Sequence, residues 1–343
     1  MKLKQAPSHC SRRQWLIRTG AALGGAGTAA LAGVAPAWGQ ATAWPAERPI
    51  RLIVPFAPGG STDVVARLIA DELRPRLNQT VVVENRPGAG STLGTGQVAK
   101  AAPDGYTLLV SVISAMSVAP ALYKGRIDWD PDKSFAHIAD IVRTPYVLMA
   151  HKGAPFNNVT ELVAAAKKAG APFSYATSGI GSIPHLVMIR FAKAAGIELT
   201  HIPYKGGAQA VGDVIGGQVP LVLDGLAAAV PHLVSGRLKG LGLTSAARSA
   251  VLPELPTFVE QGFKDTVVEG WAGIAAPAGT PRAILERLAA AIKEVMALPA
   301  LQERYRQASS SSGTLLLDEM QRFVRSDSEV WRPLVLASGA TAD

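Results

Sequence analysis

The sequence predicts an α/β protein built from two successive units, and three observations carry that reading. Short apolar runs bounded by Pro or Gly recur along the chain, helical-period patterns follow them, and Gly-rich turns join run to pattern. Strand, turn, helix, strand is the grammar of a parallel sheet. A chain of 343 residues with 48% hydrophobic content can bury one large core or two medium ones.

In the first unit, residues 49–55 (Pro-Ile-Arg-Leu-Ile-Val-Pro) read as a buried strand bounded by prolines. The turn Phe56–Thr62 follows. From Asp63 onward, Val64, Val65, Leu68, Ile69 and Leu73 share one helical face, with Ser61, Thr62 and Asp63 supplying caps and early negative charge. The cycle repeats as strand Thr80–Glu84, turn Asn85–Gly90, helix Ser91–Ala101 and, after Pro103-Asp104-Gly105, strand Tyr106–Ser111. The second unit starts near residue 145 with strand Tyr146–Ala150, then helix Glu161–Ala169 capped by Asn158 and Thr160. Strand Phe173–Ala176 leads into the Gly/Ser turn Thr177–His185, which opens a helix carrying Leu186, Ile189 and Phe191. Strand Glu198–Pro203, turn Tyr204–Gly207, helix Ala208–Ile215 and strand Val219–Leu223 ending in Asp224 come next, then an Ala-rich helix and strand Leu238–Thr244. From Arg248 the chain is Pro-rich, passes through an apolar run at Trp271–Ala275, and finishes in two helical patterns at 281–296 and 318–337. The expected domains are 44–145 together with 250–343, and 146–249.

Ahead of them, Ser11-Arg12-Arg13-Gln14-Trp15-Leu16 precedes a Gly/Ala-rich run from Ile17 to Val34 and a small-residue exit at Ala35–Ala41. These are the parts of a removable twin-arginine export signal over residues 1–40, which predicts a periplasmic mature chain. Glycines make the run a poor membrane span. Lys2, Lys4, Arg12, Arg13 and Arg18 lie in this segment without an acidic residue, so it holds five of the eight net positive charges and leaves three. So small a charge, without a basic run, argues against nucleic-acid binding. The single cysteine, Cys10, also lies there, so the mature chain has no disulfide, thiolate metal site or cysteine nucleophile. The six histidines form no i, i+4 pair, and neither a metal nor a cofactor is expected.

In an open parallel sheet, ligands collect beyond the carboxyl ends of the strands, where helix N-termini point outward. First-turn N–H groups and the helix dipole there attract anions. Two such turns facing each other, Pro58–Thr62 and Ser178–Ser182, would cradle a carboxylate without an arginine. Gly59, Gly60, Gly179 and Gly181 would allow close backbone approach, and Ser61, Thr62, Thr177, Ser178 and Ser182 would add hydroxyl donors. Ordinary βα turns use the same residue types. Asp63 either complements the helix dipole or touches ligand; Asp224 either accepts from a ligand hydroxyl or ammonium or shapes a turn. Phe56 is a lid or a core residue, Tyr204 and Lys205 contact ligand or bridge the domains, and His201 reads as a packed or hinge histidine. Nucleotide motifs fail: there is no G-x-x-x-x-G-K-[ST], and Gly88-Ala-Gly-Ser-Thr-Leu93 breaks G-x-G-x-x-G at its last glycine. No G-x-S-x-G elbow is present. Ser178 or Ser182 with His185, and Asp213 or Asp224 downstream, form an imaginable hydrolase set, but Ser182 and His185 stand one turn apart at a helix start, where such residues cap or bind.

Several ordered motifs give the mature chain a family resemblance. They are Pro49-Ile-Arg-Leu-Ile-Val-Pro-Phe-Ala-Pro-Gly-Gly-Ser-Thr-Asp63, Val83-Glu-Asn-Arg-Pro-Gly-Ala-Gly90, Asp104-Gly-Tyr-Thr-Leu-Leu109, Ser178-Gly-Ile-Gly-Ser182 with His185-Leu186, His201-Ile-Pro-Tyr-Lys-Gly206, Leu252-Pro-Glu-Leu-Pro-Thr257 and Ala276-Pro-Ala-Gly-Thr-Pro281. The chain resembles the Bug family, the extracytoplasmic solute receptors of tripartite tricarboxylate transporters, down to Trp331 and Gly339. The resemblance implies a type II periplasmic binding protein fold, two α/β domains around a hinged ligand cleft joined by two strands. It implies an organic acid held by the loops Phe56–Asp63 and Thr177–Ser182, with Ser111–Ala119 and Ala227–Val230 lining the far cleft. The twin-arginine signal departs from the ordinary secretory signals of many relatives. Ile180, Ile183 and Pro184 make the second loop apolar, which leaves a monoacid, an aromatic acid or a dicarboxylate open.

The expected function is a non-catalytic, monomeric receptor that closes on a small organic acid and presents it to the transporter's membrane subunits. Its ligand contacts would come from Phe56, Pro58, Gly59, Gly60, Ser61, Thr62, Asp63, Ser111, Thr177, Ser178, Gly179, Gly181, Ser182, His185, Tyr204 and Asp224. The alternatives are a secreted Ser/His hydrolase and an acid sensor for a membrane kinase.

Overall fold

The computed structural model describes residues 44–341; the export signal expected at 1–40 lies outside the described residues. The first βαβ passage runs β1 (Ile50–Val54), α1 (Ser61–Leu77), β2 (Val81–Asn85), α2 (Thr92–Ala99) and β3 (Thr107–Val112). A one-turn π-helix at Ser114–Val118 and the short α3 (Ala119–Leu122) lead to β4 (Phe135–His151). Next come α4 (Val159–Lys168), β5 (Phe173–Thr177), α5 (Ile183–Ala195), β6 (Leu199–Pro203), α6 (Gly207–Ile215), β7 (Leu221–Gly225), α7 (Leu226–Val234) and β8 (Leu238–Leu243). The chain closes with β9 (Glu269–Pro277), α8 (Arg282–Met296), α9 (Pro299–Gln307) and α10 (Asp318–Ser338).

The described strands form a curled nine-stranded sheet in the order β2-β1-β3-β9-β4-β7-β5-β6, with β8 also on β4. One half pairs β1 in parallel with β2 and β3, and then joins β3 to β9 and β9 to β4 antiparallel. The other half pairs β5 in parallel with β6 and β7, while β4 runs antiparallel to both β7 and β8. β1 is covered on both faces, which is why its sequence is a near-continuous apolar run. α1 buries Val65, Ala66, Ile69, Ala70, Leu73 and Leu77 as one stripe, as its 3.6-residue period requires.

The strand expected at Tyr146–Ala150 reaches back to Phe135. Its first part pairs with β9 through two register shifts and contains His137, Asp140 and Arg143, which hide the apolar period. Those groups find local partners: His137 Nε2 lies 2.9 Å from the Pro131 carbonyl, and Arg143 Nε donates to Asp140 at 2.9 Å. α9 was not expected from the pattern. β4 passes from one half of the sheet to the other at Pro145–Tyr146, and the return through Val268–Glu269 runs beside it. Thr244 ties the two crossings. Its amide donates to the Tyr146 carbonyl at 2.9 Å, its hydroxyl donates to the Val268 carbonyl at 2.6 Å, and the Val268 amide donates to the Thr244 carbonyl at 2.9 Å.

Candidate functional site

A cavity of about 60 Å³ lies between the two halves of the sheet. That is room for roughly four to six waters at ~10–15 Å³ each. One side is built from Gly60, Ser61 and Thr62 at the start of α1, from Phe56 in the preceding turn, and from Val112 at the end of β3 with Ile113 and Ser114 after it. The other side is Ser178 after β5, Pro184 in the first turn of α5, Gly207 at the start of α6, Asp224 at the end of β7 and Ala227 in the first turn of α7. Val142, Thr144 and Tyr146 of β4 and Gly270, Trp271 and Ala272 of β9 form the floor.

No Lys, Arg or His is among these lining residues. The donors available to an anion are instead the helix starts, whose first-turn amides have no partner within the helix and whose dipoles place about half a positive charge there. The starts of α1 and α6 lie close together. A Cβ on Gly60 would stand 3.7 Å from the Gly207 nitrogen, and the Ala57 amide donates across the gap to the Lys205 carbonyl at 3.2 Å. Gly207 has to lack a side chain, because a Cβ would stand 2.6 Å from the Asp224 Cγ. The face opposing the first loop is therefore chiefly the start of α6 at Gly207, a residue the sequence reading placed in the turn before a helix at Ala208–Ile215.

Of the residues expected to touch ligand, Phe56, Gly60, Ser61, Thr62, Ser178 and Asp224 border the cavity. The others stand beside it. Pro58 and Gly59 face outward on the first turn. Asp63 is buried and ties that turn together: it accepts from the Gly59 amide at 2.9 Å, from Arg67 Nε at 3.0 Å and from Asn85 Nδ2 at 2.9 Å. Burial works to raise its carboxyl pKa, but these donors outweigh burial and hold it below the ordinary value. Ser111 is fully buried in β3 next to Gly273.

The second loop turns much of its hydrogen bonding inward. The Gly179 amide donates to Thr177 Oγ1 at 3.2 Å, the Gly181 amide to His185 Nδ1 at 3.2 Å and the Ser182 amide to the Gly179 carbonyl at 3.2 Å. Ser182 Oγ donates to that same carbonyl at 2.7 Å and accepts from the His185 amide, as an N-cap does. The His185 ring stacks on His201 at 4.0 Å, and His201 Nε2 sits 2.7 Å from Thr177 Oγ1. Burial, reinforced by His185, pushes the His201 pKa down to about 3, so the stacked ring under the loop is neutral. In this arrangement Ser182 caps and His185 packs. Tyr204 donates to Asp213 at 2.6 Å and borders a neighbouring hollow, while Lys205 bridges the two halves through its carbonyl.

Sequence reasoning missed Thr144, Tyr146, Gly207, Gly270 and Trp271. Trp271 Nε1 donates to Asp327 Oδ2 at 3.0 Å, and the same oxygen accepts from Ser117 Oγ at 2.5 Å, so α10 fixes the plane of the indole in the cavity floor. Burial raises the Asp327 carboxyl above its ordinary value. Burial, with the neighbouring Asp224, also raises the Tyr146 phenol, which stays protonated and able to donate.

The profile of the tripartite tricarboxylate transporter family receptor, TctC, matches residues 65–339. The periplasmic binding protein BugD superposes with a TM-score of 0.82 at 39% identity, covering 86% of this chain and 99% of its own. An R. palustris protein solved with adipate gives 0.83 at 31% identity, covering 87% and 99%. MatC from Rhodopseudomonas palustris with bound malate gives 0.78 at 30% identity, covering 84% and 99%. No helix among the described residues is long and apolar enough to cross a membrane. The chain belongs to the tripartite tricarboxylate transporter receptor family, the periplasmic solute-binding receptors of Bug type.

Proposed function

We propose that this protein captures a small organic carboxylate in the cleft between the two halves of its sheet and delivers it to the membrane subunits of a tripartite tricarboxylate transporter. One observation carries the reading: the cavity is walled by the first turns of α1, α6 and α7 and by neutral hydroxyls, with no cationic side chain. Such a site attracts one ionised group and holds it by fixed hydrogen bonds, which are stronger to an ionised acceptor. Adipate and malate in two similar structures support the chemical class.

In this reading, residues 44–145 with 250–343 form one lobe and 146–249 the other, and the paired crossings at Tyr146 and Val268 flex between them. Phe56, Gly60, Ser61, Thr62, Ser178 and Asp224 touch the ligand, while Asp63, Ser182 and His185 hold the loops in shape. The twin-arginine segment directs export to the periplasm, and the receptor acts as a monomer without a cofactor.

Isothermal titration calorimetry against mono-, di- and tricarboxylates should give one saturating site per chain, with a raised melting temperature for the ligand that binds. A cooperatively melting protein that takes up none of them would refute capture. Uptake by vesicles holding the transporter's membrane subunits should depend on added receptor; uptake indifferent to it would remove delivery and leave capture standing.

A further inference from the structure

A carboxylate receptor has little obvious use for an acid in its own cavity, yet Asp224 is there. Its side chain is 5% exposed, the Gly225 amide donates to it, and its Oδ2 is buried without a partner. A buried acceptor left unpaired is costly, and its cost disappears when a ligand supplies a donor. Burial pushes the Asp224 carboxyl up to about 6, so at pH 7.5 it is an ionised acceptor.

The spacing restricts where that donor sits on the ligand. Gly207 borders both features: it packs directly against the Asp224 carboxyl, and its nitrogen faces Gly60 at the start of α1. Ser61, in the first turn of α1, lies against Gly225, the residue after Asp224; a Cβ on Gly225 would stand 2.7 Å from Ser61 Oγ. A ligand carboxylate on these amides is thus within about one carbon of Asp224. Two bare carboxylates that close repel unless a proton-bearing group lies between them.

Building on the capture reading, we propose that the ligand is a small 2-hydroxy or 2-amino acid. Its carboxylate rests on the first turns of α1 and α6, and the hydroxyl or ammonium on the adjacent carbon donates to Asp224 Oδ2. Asp224 thereby selects against acids that lack this donor.

The test is calorimetry at pH 7.5 with two size-matched sets: propionate, lactate and alanine, and succinate, malate and aspartate. In at least one set, the hydroxy or amino acid should bind at least tenfold tighter than the unsubstituted acid. Asp224→Ala should erase that preference, and Asp224→Asn should keep it for the hydroxy acid while weakening it for the amino acid. Thermal melting of each variant establishes that it is folded. Unsubstituted acids binding as tightly as their substituted partners would overturn the inference and leave capture intact. Folded protein that ignores all six acids but binds another carboxylate would overturn the inference alone; one that takes up no mono-, di- or tricarboxylate would overturn both.

Discussion

Replacing Asp224 by Asn should make the empty protein more stable at neutral pH. The folded carboxyl titrates at about 6 against an ordinary 3.8, with burial as the main cause. A pKa raised on folding means that the stability contribution is fully present below pH 3.8 and is lost as pH rises toward 6. At about 1.36 kcal/mol per pH unit, the loss approaches 3 kcal/mol and is complete slightly above pH 6. Asparagine has nearly the same shape, stays neutral throughout and retains an acceptor for the Gly225 amide. Urea unfolding of both proteins from pH 4 to pH 8, without ligand, isolates the effect, because other titrating groups cancel in the difference. The gap should be close to zero at pH 4, open between pH 4 and 6, and level off at about 2–3 kcal/mol in favour of Asp224→Asn. A gap independent of pH, or a less stable variant at pH 7.5, would show that the carboxyl is not held in the desolvated setting described.

Three further outcomes follow from other parts of the structure. Gly206→Val should weaken carboxylate binding more than tenfold, because a Cβ there would stand 2.9 Å from the Ala57 Cβ and keep the Ala57 amide from the Lys205 carbonyl; ligand-saturated X-ray scattering should show a persistently larger radius than wild type, and an unchanged radius would count against this contact as part of closure. Trp271 should report ligand through a change in intrinsic fluorescence that is missing in Trp271→Phe, since the indole lies in the cavity floor; a full signal in the variant would place the reporter elsewhere. His137 is pushed down to about 4, chiefly by burial, so its contribution is intact above pH 6.5 and is lost as pH falls toward 4; His137→Gln should flatten the acid side of the urea-midpoint profile by about 2–3 kcal/mol between pH 6.5 and 4.5, and an unaltered slope would contradict the burial.

The elements that announce themselves locally were the ones readable from the sequence. Pro49 and Pro55 bracket β1, the glycines at 59 and 60 mark its exit, and the apolar stripe of α1 has the helical period. β4 was only half legible: His137, Asp140 and Arg143 interrupt the run. Their side chains find local partners, but the strand itself is fixed by pairing with β9 and by Gln321 of α10 accepting from the His137 amide, which are distant in sequence. The same division holds at the cavity. The turn Phe56–Thr62 was visible from its glycines and hydroxyls. The second loop was visible too, but not the inward direction of its amides, which depends on how His185 and His201 stack. Tyr146, Gly270 and Trp271 line the cavity only because two strands cross side by side, and no local pattern encodes that crossing.

If peptide groups hold the acid as proposed, the arrangement has an evolutionary consequence. Main-chain donors survive almost any mutation that preserves the turns, so recognition of an ionised head group is insulated from sequence drift. The wall side chains at Val112, Ile113, Val142 and Ala227 have no such duty and can be exchanged to fit a new tail. Directed libraries confined to those four positions would vary which acid is accepted while leaving the ability to accept acids untouched, a natural starting point for a family of tailored metabolite biosensors.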